Sequence, residues 1–353
     1  MNIDIKNKLK QLLSELLKID FQKISENMSL GSTDVWDSIK HMEIVFYIGE
    51  KYGIEPTPDH VLQMTSFKGL YELIINSAEI KKINNKQIKT YLNKDDFVEA
   101  LVKVGLKKGD HVFVQSSIGN FGKINNPLET IKDSFLSVIG KNGTLTVPTF
   151  NSNFFQGRNF SVDNSKSESG IFSEFIRTSP GALRSTHPFH SIVSIGKKAK
   201  ELSEVINNSS SFSRSSVFGK MYDFDYKVCM FGTTMKHNTY FHYIEEQALV
   251  PYRFFKTFTS TITYKGKTEE CSYGYFARYL EPLIKADFHN VGEKLLEEFD
   301  GKKVFVGRGS IYLFSCKKFV DVMLRYLTND PVFLIADIDK WKIKEIINGN
   351  YKK

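Results

Sequence analysis

The chain has 353 residues, of which 41% are hydrophobic and 25% charged, a composition typical of a globular protein with two or more domains. No apolar run approaches the roughly 20 residues of a membrane helix, no secretory signal opens the chain, and three widely spaced cysteines without a CxxC pair exclude a disulfide framework or a zinc ribbon. The net charge of +8 comes from scattered lysines without a nucleic-acid recognition motif, so we expect a cytoplasmic protein that binds neither nucleic acid nor membrane.

The first 80 residues are predicted to form a small all-α domain of four short helices. Apolar residues recur at three- and four-residue spacing through 3–18, which indicates an amphipathic helix. Asp37 then stands at an N-cap position, Ser38 lies in the first turn of a second helix, and a further helix is predicted over 66–78. This segment carries a net charge of −4 and the remainder of the chain +12, so we expect the two parts to attract each other.

The Asp37-Ser38-Ile39 sequence has two interpretations. Aspartate and serine can simply cap a helix, because their side chains bind the free amides of its first turn. A helix N-terminus also tolerates a phosphodiester, because of its free N–H groups and the positive end of its dipole. In acidity and helix spacing, residues 1–80 resemble the acyl carrier protein family, although Ile39 replaces the usual leucine. The resemblance implies that Ser38 carries 4′-phosphopantetheine, attached by a phosphopantetheinyl transferase and charged by an acyl-loading enzyme.

Residues 80–91 are polar, charged and without apolar periodicity, and we interpret them as a linker. Beyond them, β-branched and aromatic runs alternate with helical periodicity, which predicts an α/β domain with a mixed central sheet. Two of its strands are expected to pair across Gly266. The predicted elements are helix 93–104, strand 110–115, helix 128–139, strand 144–148, helix 171–178, strands 192–195 and 226–232, helix 239–248, strands 257–264 and 268–272, strand 304–306 and helix 316–327.

The strand over 110–115 ends in a hydroxyl- and glycine-rich loop. Ligands of α/β proteins collect at such strand ends, because free backbone amides there can hold a phosphate or an oxyanion. The candidate residues of this loop are Gln115, Ser116, Ser117 and Ile118.

Histidines stand out in two further segments. Arg184, His187 and His190 lie together in a loop that also contains a proline. His242 and Glu245 share one helix face at i, i+3 spacing. A loop histidine that faces a helical glutamate would be held in one orientation and made more basic, as a general base requires.

These segments, taken in order, resemble the aminoglycoside 3-N-acetyltransferase family over residues 92–330. Members of that family transfer acetyl from coenzyme A to an amine. The matching stretches are Gln115–Ile118, Gly143–Phe150, Arg184–Pro188 and His242–Glu245.

The resemblance implies roles for these residues. His187 is implied as the general base, with Glu245 orienting it. Backbone amides around Ser116, Ser117 and Ile118 are implied to hold the thioester carbonyl and the pantetheine arm. The residues expected to contact the substrate are Gln115, Arg184, His190 and His242.

Two departures from the family pattern affect the acceptor. Gln115 stands where the family commonly has a histidine, and it can form hydrogen bonds but cannot act as a base. The stretch Ser213–Gly219 replaces a Gly-Ser-Pro stretch of the family. An aminoglycoside acceptor is therefore not implied.

Three other interpretations of the large domain were considered: a zinc site, a thioesterase and a domain without enzymatic activity. A zinc site could use His187, His190, His242 and Glu245, but Pro188 restricts the loop and no HExxH is present, so we expect no metal. A thioesterase would need a nucleophile elbow, and no GxSxG occurs. A non-enzymatic large domain would only bind the acyl carrier and present it to a larger synthase.

The interpretation we carry forward is a carrier domain (1–79), a linker (80–91) and an N-acyltransferase domain (92–353). Its predicted reaction moves an acyl group from phosphopantetheine on Ser38 to a primary amine, within one chain or between subunits of a homodimer. The predicted acceptor is an amino sugar, free or nucleotide-linked, used in a surface polysaccharide. The alternatives are a coenzyme A-dependent enzyme of the aminoglycoside 3-N-acetyltransferase type, with acyl-CoA as donor, or a tailoring acyltransferase or thioesterase of a polyketide or nonribosomal peptide pathway.

Overall fold

The computed structural model describes residues 3–52, 61, 63–84, 91–205 and 209–349. The chain divides into two compact units, Met1–Lys89 and Thr90–Lys353. In the described parts of both units, no helix combines the length and the apolar character that crossing a bilayer requires.

The first unit is helical in its described part. Trp36 and Ile48 have no exposed surface and lie in its single apolar core. The prediction of four helices stays a prediction, because residues 53–60 and 62 lie outside the described residues. The described α-helices are α1 (Ile3–Leu17), α2 (Ser38–Tyr52) and α3 (Phe67–Asn84).

The predicted linker over 80–91 begins too early. Helix α3 continues to Asn84, so the first residues of the predicted linker are helical. A polar stretch does not by itself end a helix, because lysine and glutamate are good helix formers and no glycine or proline occurs between residues 70 and 84. Residues 85–90 lie outside the described part of the chain.

The second unit is built on a seven-stranded mixed sheet, which confirms the predicted α/β domain. The strands of the unit are β1 (His111–Ser116), β2 (Thr144–Pro148), β3 (Phe160–Ser161), β4 (Leu183–Arg184), β5 (Ile192–Gly196), β6 (Lys227–Phe231), β7 (Arg253–Tyr264), β8 (Lys267–Arg278), β9 (Lys302–Val306) and β10 (Gly309–Ser315). Their order in the large sheet is β4-β5-β2-β1-β6-β10-β9. Strand β1 runs parallel to β2 and β6, whereas β5 and β10 join antiparallel.

Helices cover both faces of this sheet. Alternate residues of β1 point to opposite faces: Val112 and Val114 join the core beside the helices over 94–104, 127–139 and 171–177, and Phe113 joins the core beside the helices over 217–223, 240–247 and 316–329. The helices of the unit are α4 (Lys94–Val104), α5 (Pro127–Ile139), α6 (Ile171–Arg177), α7 (Ala199–Ser203), α8 (Val217–Asp223), α9 (Tyr240–Gln247), α10 (Phe288–Lys294), α11 (Cys316–Asn329) and α12 (Lys342–Ile347).

Strands β7 and β8 form a long hairpin that belongs to a separate three-stranded sheet with β3. The predicted pairing across Gly266 is confirmed, and Gly266 has the positive φ, +76°, that a tight turn demands. The hairpin is longer than predicted, because its first strand begins at Arg253. The extension over 253–256 has two adjacent phenylalanines between Arg253 and Lys256, so it lacks the alternation of apolar and polar residues that marks a half-buried strand.

Candidate active site

Helix α9 places His242 and Glu245 on one face, as their spacing predicts. Nδ1 of His242 lies 2.7 Å from Oε2 of Glu245. The glutamate side chain is fully buried, whereas the imidazole is 36% exposed. Because Nδ1 is committed to the carboxylate, Nε2 is the ring nitrogen that remains free to exchange a proton with a solute.

Arg253 completes this group. Its Nε lies 2.9 Å from Oε2 of Glu245, and its Nη2 lies 3.1 Å from Nδ1 of His242. Burial by itself raises the pKa of Glu245, but the charge of Arg253 and the hydrogen bond from His242 outweigh burial and lower this pKa below its ordinary value. Glu245 is therefore ionised at neutral pH and places a negative charge against Nδ1 of His242.

No sequence pattern singles out Arg253, because its approach to Glu245 depends on a turn after α9. Leu249 has a φ of +49°, a left-handed conformation that reverses the chain. The amide of Val250 then donates to the carbonyl of Glu245 at 3.2 Å. This turn carries β7 back along the helix and brings the arginine to the carboxylate.

Glu246 is a second residue that the sequence analysis did not single out. Its side chain is almost fully buried, and burial raises its pKa to about 6. The hydroxyl of Ser210 donates to its carboxylate, which fastens the segment leading to Phe212. The Phe212 ring lies 5.8 Å from the ring of His242, so this contact supports the wall beside the imidazole.

A cavity of about 900 Å³ opens in front of the His242–Glu245 pair. Its walls come from the base of the hairpin, from residues 279–286 that follow the hairpin, and from helix α10. The lining residues are Lys236, His242, Glu245, Tyr252, Arg253, Phe254, Lys256, Phe258, Tyr275, Ala277, Arg278, Tyr279, Leu280, Pro282, Leu283, Ile284, Lys285, Ala286, Phe288 and Ile335. The volume is in the range of small-molecule sites.

The predicted pairing of His187 with Glu245 is wrong, since Glu245 is paired with His242 and Arg253. His187 is only 7% exposed, its Nε2 is buried without a hydrogen-bond partner in the described structure, and its ring packs against Phe189 and Tyr273. Burial lowers its pKa to about 3. A base must reach its substrate and hold a proton, so the geometry favours His242 over His187 for that role.

His190 lies behind the cavity wall. Its ring stacks on Tyr275, which lines the cavity, and it packs against Phe150 and Phe212. Burial, together with the positive fields of His187, His242 and Arg253, holds its pKa well below the ordinary range. The ring is therefore neutral and supports the cavity wall from the side away from the solute.

Gln115 contacts protein backbone at both ends of its amide. Its Nε2 donates to the carbonyl of His237, and its Oε1 accepts from the amide of Thr239 at 3.0 Å. Both bonds fix the segment that leads into α9. The structure thus assigns Gln115 to the positioning of the His242 helix rather than to the predicted substrate contact.

The loop after β1 offers fewer free amides than predicted. The amide of Ser117 donates to the carbonyl of Phe231 at 2.9 Å, while Ile118 begins a 3₁₀ turn. Gly232 has a φ of +69°, and a Cβ there would lie 2.5 Å from the carbonyl oxygen of Ser117. Only glycine permits this close approach of the two strand ends.

A smaller cavity of about 410 Å³ lies beside this loop. Its lining residues are Gly119, Asn120, Gly232, Thr233, Thr234, Arg308, Gly309 and Ser310. The segment between β6 and α9 contributes to both cavities, because Thr234 lines the smaller one and Lys236 the larger one. Contacts of Ser116 and Ile118 with a thioester stay a prediction.

Arg184 braces three loops of the protein. Its Nε donates to Ser191, and its two terminal nitrogens donate to the carbonyls of Thr149, Val162 and Ser165. Burial lowers its pKa to about 10, so the group stays charged at neutral pH. These contacts give Arg184 a structural role in place of the predicted substrate contact.

Replacing Arg184 with methionine is expected to lower the free energy of unfolding by about 3 kcal/mol, because buried carbonyl oxygens lose charged donors. Urea unfolding measures this loss, and the KM for the amine should stay within about twofold. Arg158→Met, at an exposed position, is the matched control and should change stability by less than about 0.5 kcal/mol. A raised KM without loss of stability would return Arg184 to the substrate site.

The metal alternative receives no support from the arrangement of its ligands. Among the described residues, no group of three or more histidine, cysteine, aspartate or glutamate side chains is arranged to hold a metal ion. The Nδ1 atom of His242 faces Glu245 and the guanidinium of Arg253, and that cation would repel a metal ion.

Solved structures share the fold of the second unit. Aminoglycoside acetyltransferase AAC(3)-Xa aligns with a TM-score of 0.62 and 22% identity over 69% of this chain and 94% of that one. AAC-IIIb, solved with CoASH, aligns with a TM-score of 0.63 and 20% identity over 68% of this chain and 97% of that one.

Sequence comparison gives the family. The chain is 24% identical over 260 residues to the prophage-derived aminoglycoside N(3′)-acetyltransferase-like protein YokD of Bacillus subtilis, covering 67% of this chain and 93% of that protein. It is 24% identical over 257 residues to aminoglycoside N(3)-acetyltransferase III of Acinetobacter baumannii, covering 65% and 89%. The family model for aminoglycoside 3-N-acetyltransferase matches residues 113–328, more than half of the sequence. The chain therefore belongs to the aminoglycoside 3-N-acetyltransferase family and is an acyltransferase.

Proposed function

We propose that this protein is an N-acyltransferase that moves an acyl group from a pantetheine thioester to the primary amine of an amino sugar. The observation that carries the proposal is the partly exposed imidazole of His242, backed by the buried, ionised Glu245 at the wall of a large cavity. A base in this setting accepts a proton from an amine that enters the cavity, which is what amide formation requires.

The residues of the site divide the work as follows. His242 accepts the proton that the amine loses as its nitrogen attacks the acyl carbonyl, and Glu245 holds the resulting imidazolium. Arg253 keeps Glu245 ionised in its buried position. The proton then passes from Nε2 to the departing sulfur, so the amine and thioester become an amide and a thiol without a net change in protons. The amides of Ile118 and Gly119 are the donors we propose for the carbonyl oxygen.

The donor can present the same pantetheine arm in two forms. The comparisons favour coenzyme A, because a related enzyme was solved with CoASH. The first unit favours a carrier-bound arm on Ser38. Ser38 is exposed at the start of the 15-residue helix α2, and the carboxylate of Asp37 caps that helix by accepting from the amide of Lys40 at 2.8 Å.

An exposed serine at a helix N-terminus fits 4′-phosphopantetheine. The modifying enzyme can reach the hydroxyl, and the helix dipole favours the phosphodiester. When bound, the group supplies an activated acyl carbonyl and a thiol leaving group. We propose that residues 1–79 are an acyl carrier domain and that the catalytic unit accepts either form of the arm.

The proposal is tested by incubating the purified full chain with acyl-CoA and, separately, with the acyl chain loaded on Ser38, each with glucosamine as the amine. We expect the N-acylated sugar by mass spectrometry and one thiol released per amide formed. A phosphopantetheinylated carrier that supports transfer without free acyl-CoA would establish donation from Ser38. Thiol release without any amide would contradict the proposal and point to a thioesterase.

A further inference from the structure

The larger cavity is strongly cationic. Five of its twenty lining residues are lysine or arginine, and Glu245 is the one carboxylate among them in the described part of the chain. Glu245 is already bound by Arg253 and His242. The lining cations are Lys236, Arg253, Lys256, Arg278 and Lys285.

These cations come together from separate elements of the fold. Lys236 precedes α9, Lys256 lies on β7, Arg278 ends β8, and Lys285 follows the hairpin. All four are exposed, so an incoming solute can reach them. A cluster drawn from four segments to one cavity differs from a charged helix face, where sequence spacing alone places like charges side by side.

The register of the hairpin brings two positive charges together, and a bound anion would relieve their repulsion. Arg253 and Arg278 stand directly opposite each other in the antiparallel pair, and like charges at such positions are destabilising. Glu245 neutralises Arg253 from one side. Asp339, the acid beside Lys285, accepts from that residue's backbone amide and is paired with Lys342 at 2.6 Å. An anion in the cavity would therefore meet positive charge that no ion pair among the described residues compensates.

We infer that the acceptor is an amine that also carries a phosphate or diphosphate group, such as a nucleoside diphosphate amino sugar. The inference rests on the proposed function and names its substrate class. The cations share a cavity with His242, so one molecule can place its phosphate against them and its amine at the imidazole. A polycationic aminoglycoside would meet repulsion from the same residues. The apolar side chains of Phe254, Leu280 and Leu283 offer contact for sugar or base faces between the charges.

The test compares three amines with one acyl donor: UDP-glucosamine, glucosamine and gentamicin. We expect kcat/KM to be at least about 100-fold higher for UDP-glucosamine than for glucosamine, and to fall with added salt. Arg278→Gln and Lys285→Gln should each raise the KM for UDP-glucosamine about tenfold with kcat unchanged. Lys267→Gln, at the opposite end of the hairpin beside Tyr264, is the matched control and should leave both constants unchanged.

Coenzyme A is the other source of phosphate, so the donor arm must be separated from the acceptor arm. The same variants are measured with acyl-CoA and with acyl-pantetheine, which lacks the nucleotide. A raised KM for acyl-CoA alone, with the KM for the amine unchanged, would assign the cations to the donor and overturn the inference. A preference for gentamicin, or equal use of glucosamine and UDP-glucosamine, would also overturn it while leaving the proposed function in place. If none of the three amines is acylated, both this inference and the proposed function are overturned.

Discussion

Replacing His242 with glutamine is expected to lower kcat/KM for acyl transfer by about 10²- to 10⁴-fold, the usual contribution of a general base. Glutamine can still donate a hydrogen bond to Glu245, so the buried carboxylate keeps a partner and the fold should persist. The rate is measured as thiol release coupled to amide formation, and thermal unfolding of the variant confirms that it is folded.

His187→Gln is the informative comparison, because the family resemblance implies His187 as the base and the structure favours His242. With a pKa of about 3, His187 stays neutral across the range in which acyl transfer is assayed. Above pH 5, the dependence of the acyl-transfer rate on pH should therefore be the same in His187→Gln as in the wild type. The opposite result, in which His187→Gln is inactive but folded and His242→Gln retains its rate, would restore the sequence-based assignment.

Replacing Ser38 with alanine is expected to abolish phosphopantetheine attachment completely. The wild-type chain, co-expressed with a broad phosphopantetheinyl transferase, should gain the mass of one phosphopantetheine, and the variant should gain none. The reason is chemical, since alanine has no hydroxyl to form the phosphodiester. Intact-protein mass spectrometry reads the outcome without any assay of transfer.

Ser25→Ala provides the control within the same unit, because Ser25 is also exposed but lies in a loop. It should load as the wild type does. An unmodified wild-type chain would remove Ser38 from the reaction and leave free acyl-CoA as the donor. Loading that persists in Ser38→Ala would place the modification on another residue.

Local patterns predicted most elements of the second unit well. The strand predicted over 110–115 is observed at His111–Ser116, and the helix predicted over 239–248 at Tyr240–Gln247. In both cases the period of apolar residues is strong and the ends carry turn-forming residues. The prediction of element ends failed where the sequence becomes polar but the helix continues, as at the end of α3.

The candidate site was predicted only in part, because its contacts join residues that are distant in the sequence. The i, i+3 pair of His242 and Glu245 is local and was found. The third member, Arg253, depends on the left-handed turn at Leu249, which no sequence pattern announced. His187 is a loop histidine, a residue type that is common in active sites. Its ring, however, packs against Phe189 and Tyr273 and is thereby kept out of the cavity. Such packing is determined by the tertiary fold and cannot be predicted from the local sequence.

The hairpin of β7 and β8 has a consequence for how this enzyme could diversify. His242 and Glu245 lie on α9, which Gln115 fastens to the central sheet. Much of the cavity wall lies instead on residues 254–286, within a second sheet and the segment after it. Changes in that stretch can alter which amine fits while the base keeps its position. Under the proposed function, one continuous stretch of the chain would largely determine the acceptor, and exchanging residues 254–286 among family members would change which amine is acylated.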